Sequence, residues 1–148
     1  MELAKKKYGI DGEYLLFVGN IEPRKNISGI LEAYRRLEPG LRDRNCLVLV
    51  GGPGWLNEEI FLAIRDYQSK GYRIILPKSH VSDDDMPALY SGATILLLPS
   101  HYEGFGIPLL EAMACGTPLL TSRNSSLPEV AGDAAIYADP ADPADIAK

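Results

Sequence analysis

Residues 94–121 read TILLLPSHYEGFGIPLLEAMACGTPLLT. The stretch begins with an apolar run that Pro99 stops, and it ends with a second apolar run at residues 118–121. Between the two runs, a loop leads into a segment that starts at Ile107 or Pro108 and ends at Cys115, just before Gly116. Proline in the first turn and glycine after the last one are typical of a helix. The stretch therefore predicts a strand, a helix and a second strand in succession.

The same alternation extends along the rest of the chain. Strands that are apolar throughout need cover on both faces, and helices in right-handed crossovers supply it. We therefore predict an α/β fold with a doubly wound parallel sheet of the Rossmann-like type. The predicted strands are 14–18, 46–50, 72–76, 94–98, 118–121 and 134–137, and the predicted helices are 27–37, 58–70, 82–90, 107–115 and 127–131.

The composition fits one domain over residues 1–148, with 46% hydrophobic residues and a net charge of -5. An acidic chain lacks the charge that nucleic-acid binding requires, and no apolar run approaches the roughly 20 residues that span a bilayer. Two cysteines exclude a disulfide framework, and no metal-ligand spacing joins them to the two histidines. We expect no metal, no nucleic-acid partner, no transmembrane segment and a cytoplasmic location.

Both ends of the chain carry distinctive segments. Lys5-Lys6-Lys7 is predicted to be a solvated tail. The segment from Asp139 to Ile146 predicts a turn and an N-cap that open a further helix. Because the chain ends before that helix is complete, we expect the domain to be a fragment of a longer protein.

The loops that follow the strands should converge, because ligands of an open parallel sheet bind outside the carboxyl ends of its strands. In the first of these loops, Arg24 and Lys25 lie just before a helix N-terminus, where the helix dipole disfavours cations. An anion such as phosphate would remove the conflict. Alternatively, both side chains are solvated or pair with Glu22.

The second loop, Gly51 to Trp55, has three glycines but is not a dinucleotide-binding fingerprint. That fingerprint follows the first strand, where this chain has only Gly19. We therefore expect no nicotinamide cofactor.

The third loop carries the strongest signal. Gly104 and Gly106 allow main-chain N–H groups to face outward at a helix N-terminus, which predicts a cradle for a diphosphate. Glu103 and Glu111 lie on either side of this cradle, and the hydroxyl groups of sugars suit such carboxylates. Alternatively, Glu111 only complements the helix dipole and Glu103 caps a loop.

These segments resemble a known family. Glu103 and Glu111 with Gly-Phe-Gly between them, followed by Ala-Met-Ala-Cys-Gly-Thr-Pro, resemble the signature of family 4, or group 1, glycosyltransferases, which are retaining enzymes of the GT-B fold. Residues 17–26 (FVGNIEPRKN) are similar to the first donor loop of that family, and residues 126–135 (SLPEVAGDAA) to a later segment. The resemblance covers residues 14–145.

The resemblance implies a site for a nucleoside-diphosphate sugar in the C-terminal half of a two-domain enzyme. It assigns the transferred sugar to Glu103, the ribose hydroxyls to Glu111 and the diphosphate to Lys25. The main chain of Gly104, Phe105 and Gly106 would contact the sugar and the phosphates.

Four further positions follow from the same resemblance. Gly19 is the first glycine of the donor loop, and Asn20 follows it where many members have arginine. Val81 falls where the main chain of the family meets the base, and Ile107 falls where a side chain packs near the nucleotide.

The resemblance also implies a mechanism without a metal or a cofactor. Lys25, Arg24 and the helix N-terminus would stabilise the negative charge of the departing diphosphate. Glu103 would position the sugar in a same-face substitution. Because the acceptor site and part of the catalytic machinery belong to an N-terminal domain, we expect this domain alone to bind the donor without transferring it. Peripheral membrane contact of the parent protein stays open.

Two other functions stay open as well. One is a non-catalytic nucleotide-binding or regulatory domain, in which the glutamates are only helix-end residues. The other is a domain like the GT-B epimerases, which would act on the nucleotide sugar without an acceptor. The residues do not specify the base, the sugar or the acceptor.

Overall fold

A computed structural model describes all residues of the chain, 1–148. Six strands form one parallel sheet in the order β3-β2-β1-β4-β5-β6. This is the strand order of Rossmann-like doubly wound folds, so the predicted fold class is confirmed. The strands are β1 Glu13–Val18, β2 Asn45–Val50, β3 Ile74–Ile75, β4 Ile95–Leu98, β5 Leu119–Ser122 and β6 Ala135–Ala138.

Eight helices connect and flank the strands. They are α1 Glu2–Lys7, α2 Ile27–Arg36, α3 Pro39–Arg44, α4 Glu58–Ser69, α5 Met86–Gly92, α6 Ile107–Ala114, α7 Leu127–Ala131 and α8 Pro143–Ala147. Short 3-10 turns occupy Pro23–Lys25 and Gly132–Ala134. No helix combines the length and the apolar character that crossing a membrane requires.

The apolar strands explain the layering of the domain. β1 pairs with β2 in register from Glu13 opposite Asn45 to Val18 opposite Val50, and all six residues of β2 are buried. Helices α2, α4 and α8 pack together, and α1, α5, α6 and α7 form a second connected group. The sheet lies between these groups, as a fully apolar parallel sheet requires.

The direction in which successive strands are added to the sheet reverses at β1. The strands that follow β1 along the chain are added on one side of it, and β4 returns to its other side. The loops after β1 and β4 therefore meet, and the main-chain N–H of His101 donates to the carbonyl of Arg24 at 2.9 Å. Ligands of doubly wound sheets bind at such a reversal.

The prediction that residues 5–7 form a solvated tail is wrong. Residues 2–7 form helix α1, and Lys7 Nζ contacts Asp85 Oδ2 at 2.7 Å. The Tyr8 hydroxyl donates to the same oxygen at 2.6 Å, and the Ser82 hydroxyl does so at 2.9 Å. Asp85 therefore anchors α1 to the body of the domain, and its side chain does not cap α5. Lys7 and Tyr8 are more than 70 residues from Asp85 along the chain, so local pattern could not reveal these two contacts.

Two other elements differ from the prediction, and a third forms as expected. Helix α3 was not predicted, because its residues are largely exposed and show no apolar periodicity. Edge strand β3 is only two residues long, and the ring of Tyr72 packs against those of Tyr34 and Tyr67 instead of extending the strand. Helix α8 does form, and Asp142 caps it by accepting from the main-chain N–H of Ala144 at 3.0 Å.

Candidate functional site

A cleft of about 650 Å³ lies at the carboxyl ends of β1, β2 and β3. The loops after these strands line it together with Glu111 of α6, whereas the loop after β4, which carries Glu103, contributes no lining residue. Among the residues predicted from the sequence, Gly19, Val81 and Glu111 line this cleft. Its volume falls within the range of small-molecule sites.

The first two loops approach each other closely because both have glycine where they touch. The N–H of Gly19 donates to the carbonyl of Val50 at 2.9 Å, and that of Ile21 donates to the carbonyl of Gly52 at 2.9 Å. A methyl group on Gly51 would lie 1.7 Å from the carbonyl oxygen of Gly19, which no main-chain atom can tolerate. The loop glycines therefore fix one wall of the cleft.

A buried ion pair joins the first loop to the third. Lys25 Nζ lies 2.6 Å from Glu103 Oε1, and the two side chains are 10% and 6% exposed. The stem of Lys25 passes beside Gly19, since a methyl group there would lie 3.7 Å from Lys25 Cε. The ion pair thus lies next to a residue that lines the cleft.

Serine residues that the sequence prediction did not single out hold Glu103 in place. The buried Ser100 hydroxyl donates to Glu103 Oε1 at 2.9 Å. From the loop after β5, Ser125 Oγ accepts from the N–H of Glu103 at 3.0 Å, and Ser126 Oγ donates to its carbonyl at 3.1 Å. The serines follow directly after two buried strands, which is the signal that would have identified them.

Glu103 keeps one carboxylate oxygen free. Oε1 accepts from both Lys25 and Ser100, whereas Oε2 has no partner in the chain. No fully buried side-chain oxygen or nitrogen lacks a hydrogen-bond partner, so Oε2 is accessible to solvent or a ligand. One oxygen of the carboxylate is therefore paired with a cation, and the other can accept a hydrogen bond from a ligand.

The loop into α6 presents unpaired main-chain donors. The N–H groups of Gly104, Phe105 and Gly106 donate to no acceptor in the chain. Gly106 has φ +87°, and a methyl group on it would lie 3.0 Å from Leu127. The side chains of Phe105 and Ile107 are exposed and do not line the cleft.

Glu111 lies at a different point of the site from Glu103. It lines the cleft, and the Tyr90 hydroxyl donates to its Oε2 at 2.5 Å. Burial raises the pKa of Tyr90 above its ordinary value, and the hydrogen bond to Glu111 raises it further. Tyr90 therefore remains a donor at physiological pH and orients Glu111, leaving Oε1 free.

Arg24 is not in the cleft. Its Nε donates to Glu22 Oε1 at 2.5 Å, and its side chain faces a neighbouring hollow that contains Trp55. Of the two sequence-based interpretations of Arg24, the structure shows the pairing with Glu22. Glu22 is itself buried, so this pair shapes the first loop.

No three side chains of His, Cys, Asp or Glu lie close enough together to hold a metal ion. Among the histidines, His80 lines the cleft on the loop after β3, whereas His101 is exposed.

The geometry defines a cleft at the carboxyl edge of a doubly wound sheet, and comparison with known proteins identifies the family. The whole chain, residues 1–148, matches the family model described as Glycosyl transferases group 1. The chain belongs to this family.

The curated relatives are glycosyltransferases. O-antigen chain mannosyltransferase B of Escherichia coli is 45% identical over 129 residues, which cover 87% of this chain and 33% of that protein. D-inositol 3-phosphate glycosyltransferase of Acidothermus cellulolyticus is 31% identical over 158 residues, covering 95% of this chain and 34% of that protein. The chain spans about a third of the length of these relatives.

Solved structures share the fold. Sucrose-phosphate synthase from Thermosynechococcus elongatus superimposes with a TM-score of 0.79 at 26% identity, covering 99% of this chain and 38% of that one. The C-terminal domain of a group 1 glycosyltransferase from Francisella tularensis gives a TM-score of 0.82 at 22% identity, covering 98% of this chain and 77% of that one. The domain thus has the Rossmann-like fold of GT-B glycosyltransferases.

Proposed function

We propose that this chain is the donor-binding domain of a group 1 glycosyltransferase and that it binds a nucleoside-diphosphate sugar. The observation that carries the proposal is the buried Lys25–Glu103 pair, which lies beside Gly19 at the cleft. It combines a cation for phosphate with a carboxylate for sugar hydroxyls. The unpaired N–H groups of residues 104–106 belong to the same loop as Glu103.

Lys25 and these N–H groups are the partners that we propose for the diphosphate. Lys25 Nζ has one partner in the chain and further protons to donate. Negative charge grows on the diphosphate as the sugar departs, so fixed donors stabilise the transition state more than the ground state. This balance of charge by the protein supports transfer without a metal. Arg24 is a second cation for the same charge, provided that its guanidinium leaves Glu22.

The two glutamates hold the neutral parts of the donor in this proposal. Glu103 Oε2 accepts from a hydroxyl of the transferred sugar, and Glu111 Oε1 accepts from the ribose. Val81 contacts the base through its main chain, and Ile107 packs near the nucleotide once the ligand is bound. Phe105 contributes its main-chain N–H and not its ring.

We further propose that the transfer proceeds with retention, by a same-face substitution that the departing phosphate assists. Glu103 Oε1 is already engaged by Lys25 and Ser100, which suits a positioning group better than a nucleophile. The similarity to mannosyltransferases, at 36% to 45% identity, supports mannose as the sugar. Both cysteines are free, which supports a cytoplasmic location.

Calorimetric titration of the 148-residue chain tests donor binding. We expect GDP, UDP or ADP to bind, and the matching nucleotide mannose to bind more tightly than the bare diphosphate. We also expect the ribonucleotide to bind more tightly than its 2′-deoxy form, and Glu111→Gln to remove that preference. If none of the three diphosphates binds, the proposal is wrong.

Three variants test which part of the donor each charged side chain binds. Lys25→Gln keeps a donor for Glu103 but removes the cation, so diphosphate affinity falls by at least about tenfold. Glu103→Gln keeps the diphosphate affinity and loses the gain from the sugar. The loss of diphosphate affinity in Arg24→Gln measures the contribution of the second cation. Lys70→Gln is the matched control, because Lys70 is an exposed lysine paired with Asp66 on α4.

Experiments on the full-length parent protein distinguish sugar transfer from epimerisation and from a regulatory function. We expect the isolated domain to bind the donor without transferring it, because the acceptor site lies in an N-terminal domain of the parent. Full-length protein incubated with the donor alone should leave the configuration of the sugar unchanged. Isomerisation without an acceptor would favour an epimerase, and nucleotide binding that the sugar does not strengthen would favour a regulatory domain.

A further inference from the structure

A second concave site lies at the edge of the sheet opposite the cleft. This site, called the basic pocket below, has a volume of about 320 Å³, and its side chains are those of Tyr34, Arg42, Asp43, Lys70, Tyr72 and Arg73. Helix α3, which carries Arg42, leads into β2, and Arg73 lies directly before β3. Because the cleft lies at the other ends of these strands, the length of the six-residue strand β2, roughly 20 Å, separates the two sites.

Two arginines of the basic pocket carry charges that no carboxylate balances. None of the eight ion pairs in the chain includes Arg42 or Arg73. Arg42 Nη1 donates to the carbonyl of Arg35 at 2.9 Å. Arg73 donates to the carbonyls of Asp43 at 2.9 Å and Asp11 at 2.8 Å. Main-chain carbonyls carry no net charge, so both guanidinium groups are held in place and keep their full positive charge.

Aromatic rings support the guanidinium group of Arg42. Its central carbon lies 5.3 Å from the centroid of the Tyr72 ring. That ring packs in turn against the rings of Tyr34 and Tyr67, with centroids 6.3 and 5.2 Å away. Tyr34 is buried, and its hydroxyl donates to the carbonyl of Asn45 at 2.9 Å. The pocket is therefore preformed, which lowers the entropy cost of binding a ligand there.

The other charges of the basic pocket leave a positive balance. Lys70 pairs with Asp66 at 2.7 Å, so these two charges offset each other. Asp43 is the one carboxylate that lines the pocket, and it faces two guanidinium groups. Arg42 also complements the C-terminus of α3, but Arg73 belongs to no helix. A local excess of positive charge thus occurs in a chain whose net charge is -5.

We propose that the basic pocket binds a phosphate group, either on the head group of an anionic phospholipid or on a soluble phosphate ester. Guanidinium groups bind phosphate oxygens through paired N–H donors. Each guanidinium has five such donors, and the main chain takes one from Arg42 and two from Arg73. The inference does not depend on the proposed donor site, because the two sites lie at opposite edges of the sheet. A lipid phosphate in the pocket would give the parent protein a peripheral membrane contact.

Amide NMR spectra of the chain report on the basic pocket through the main-chain N–H groups of residues 71–73. We expect inorganic phosphate and glycerol phosphate to shift these signals in a saturable way, and added salt to weaken the binding. Glycerol should leave the signals unchanged. Lys25→Gln removes the cation of the proposed donor site and should keep the response. A response that disappears in Lys25→Gln would assign the phosphate to the donor site and overturn the inference.

Cosedimentation with lipid vesicles distinguishes the two sources of phosphate. If the source is a lipid, vesicles of phosphatidylcholine with phosphatidic acid should bind the chain, vesicles of phosphatidylcholine alone should not, and inorganic phosphate should compete. An NMR response without vesicle binding identifies a soluble ester. The inference is overturned if neither probe binds, or if vesicle binding survives in Arg42→Gln/Arg73→Gln.

Single variants of the basic pocket should change the phosphate affinity in opposite directions. Arg42→Gln should weaken binding by at least about fivefold, and Asp43→Asn should strengthen it about twofold because it removes the opposing charge. Arg73→Lys keeps the charge but loses the paired donors, so it should bind more weakly than the wild type. Arg65→Gln is the matched control, since Arg65 is an exposed arginine on α4 outside the pocket. Equal affinities of Arg42→Gln, Asp43→Asn and Arg65→Gln would contradict the inference.

Discussion

The ion pair between Lys25 and Glu103 brings two nearly buried charges together beside Gly19, which lines the cleft. Removing water from two charges is costly, and their attraction offsets that cost only while both partners are present. The Ser100 hydroxyl adds a hydrogen bond to the same carboxylate oxygen. In the proposed donor site, the cation and the carboxylate are thereby held together before any ligand binds.

Breaking this pair from one side should destabilise the fold. Lys25→Met leaves Glu103 buried without its partner, and we expect the free energy of unfolding to fall by about 3 kcal/mol. The double variant Lys25→Met/Glu103→Gln removes both charges and should lose less than the sum of the two single variants. Urea denaturation measures all four proteins, and strictly additive losses would contradict the coupling.

Asp85 gives the fold a pH dependence in acid. Hydrogen bonds from Lys7, Tyr8 and Ser82 lower the pKa of Asp85 to about 2, from an ordinary value of 3.8. Because the folded-state pKa is the lower one, this stabilisation is present above pH 3.8 and is lost as the pH falls towards 2.

The variant Asp85→Asn lacks this contribution. We expect its melting temperature to lie below that of the wild type at pH 6, with a gap that narrows between pH 4 and about 2. Asp84→Asn is the control, because Asp84 is the neighbouring aspartate and is exposed. A gap between wild type and Asp85→Asn that is independent of pH would contradict the assignment.

At the scale of elements, the close approach of the loops after β1 and β2 decides the shape of the cleft. Hydrogen bonds run between the two loops at Gly19, Ile21 and Gly54, beyond the ends of the paired strands. Such a contact between main chains leaves no room for a side chain. Glycine at position 51 is therefore a requirement of packing.

Gly51→Ala should be strongly destabilising. The new methyl group would lie 1.7 Å from the carbonyl oxygen of Gly19, so one of the loops must move. We expect a loss of roughly 3 kcal/mol in the free energy of unfolding and a distorted cleft. Gly40→Ala in α3 is the matched control: it meets nothing within 4 Å and should be neutral or stabilising by up to about 1 kcal/mol. Equal stability of the two variants would show that the loops can separate.

At the scale of the whole molecule, one cluster of 35 buried hydrophobic residues connects both faces of the sheet. No part of the chain has a separate core, so we expect unfolding to be a single cooperative transition. Far-ultraviolet circular dichroism follows the helices, and near-ultraviolet circular dichroism follows the buried tyrosines Tyr14, Tyr34 and Tyr90. The two melting curves should coincide, and two separate transitions would contradict a single cooperative unit.

The elements predicted from the sequence agree with the structure wherever the signal is local. The strands at residues 46–50 and 94–98 and the helices at 58–70 and 127–131 lie within one or two residues of the observed ones. The sequence did not predict helix α1, because Ala4 and Tyr8 are buried only through the packing of α1 against α5. Apolar periodicity reports which face of an element is buried, and it does not report what covers that face.

The sequence by itself determined a parallel sheet with helices on both faces, and it identified the loops that carry Lys25 and Glu103 and the helix that carries Glu111. The tertiary structure decided that Lys25 and Glu103, 78 residues apart along the chain, form a buried pair. It also decided that Arg24 pairs with Glu22, beside the exposed Trp55. The physical reason is that local pattern specifies elements, whereas these contacts exist only because β4 lies beside β1 and because the loops after β1 and β2 touch.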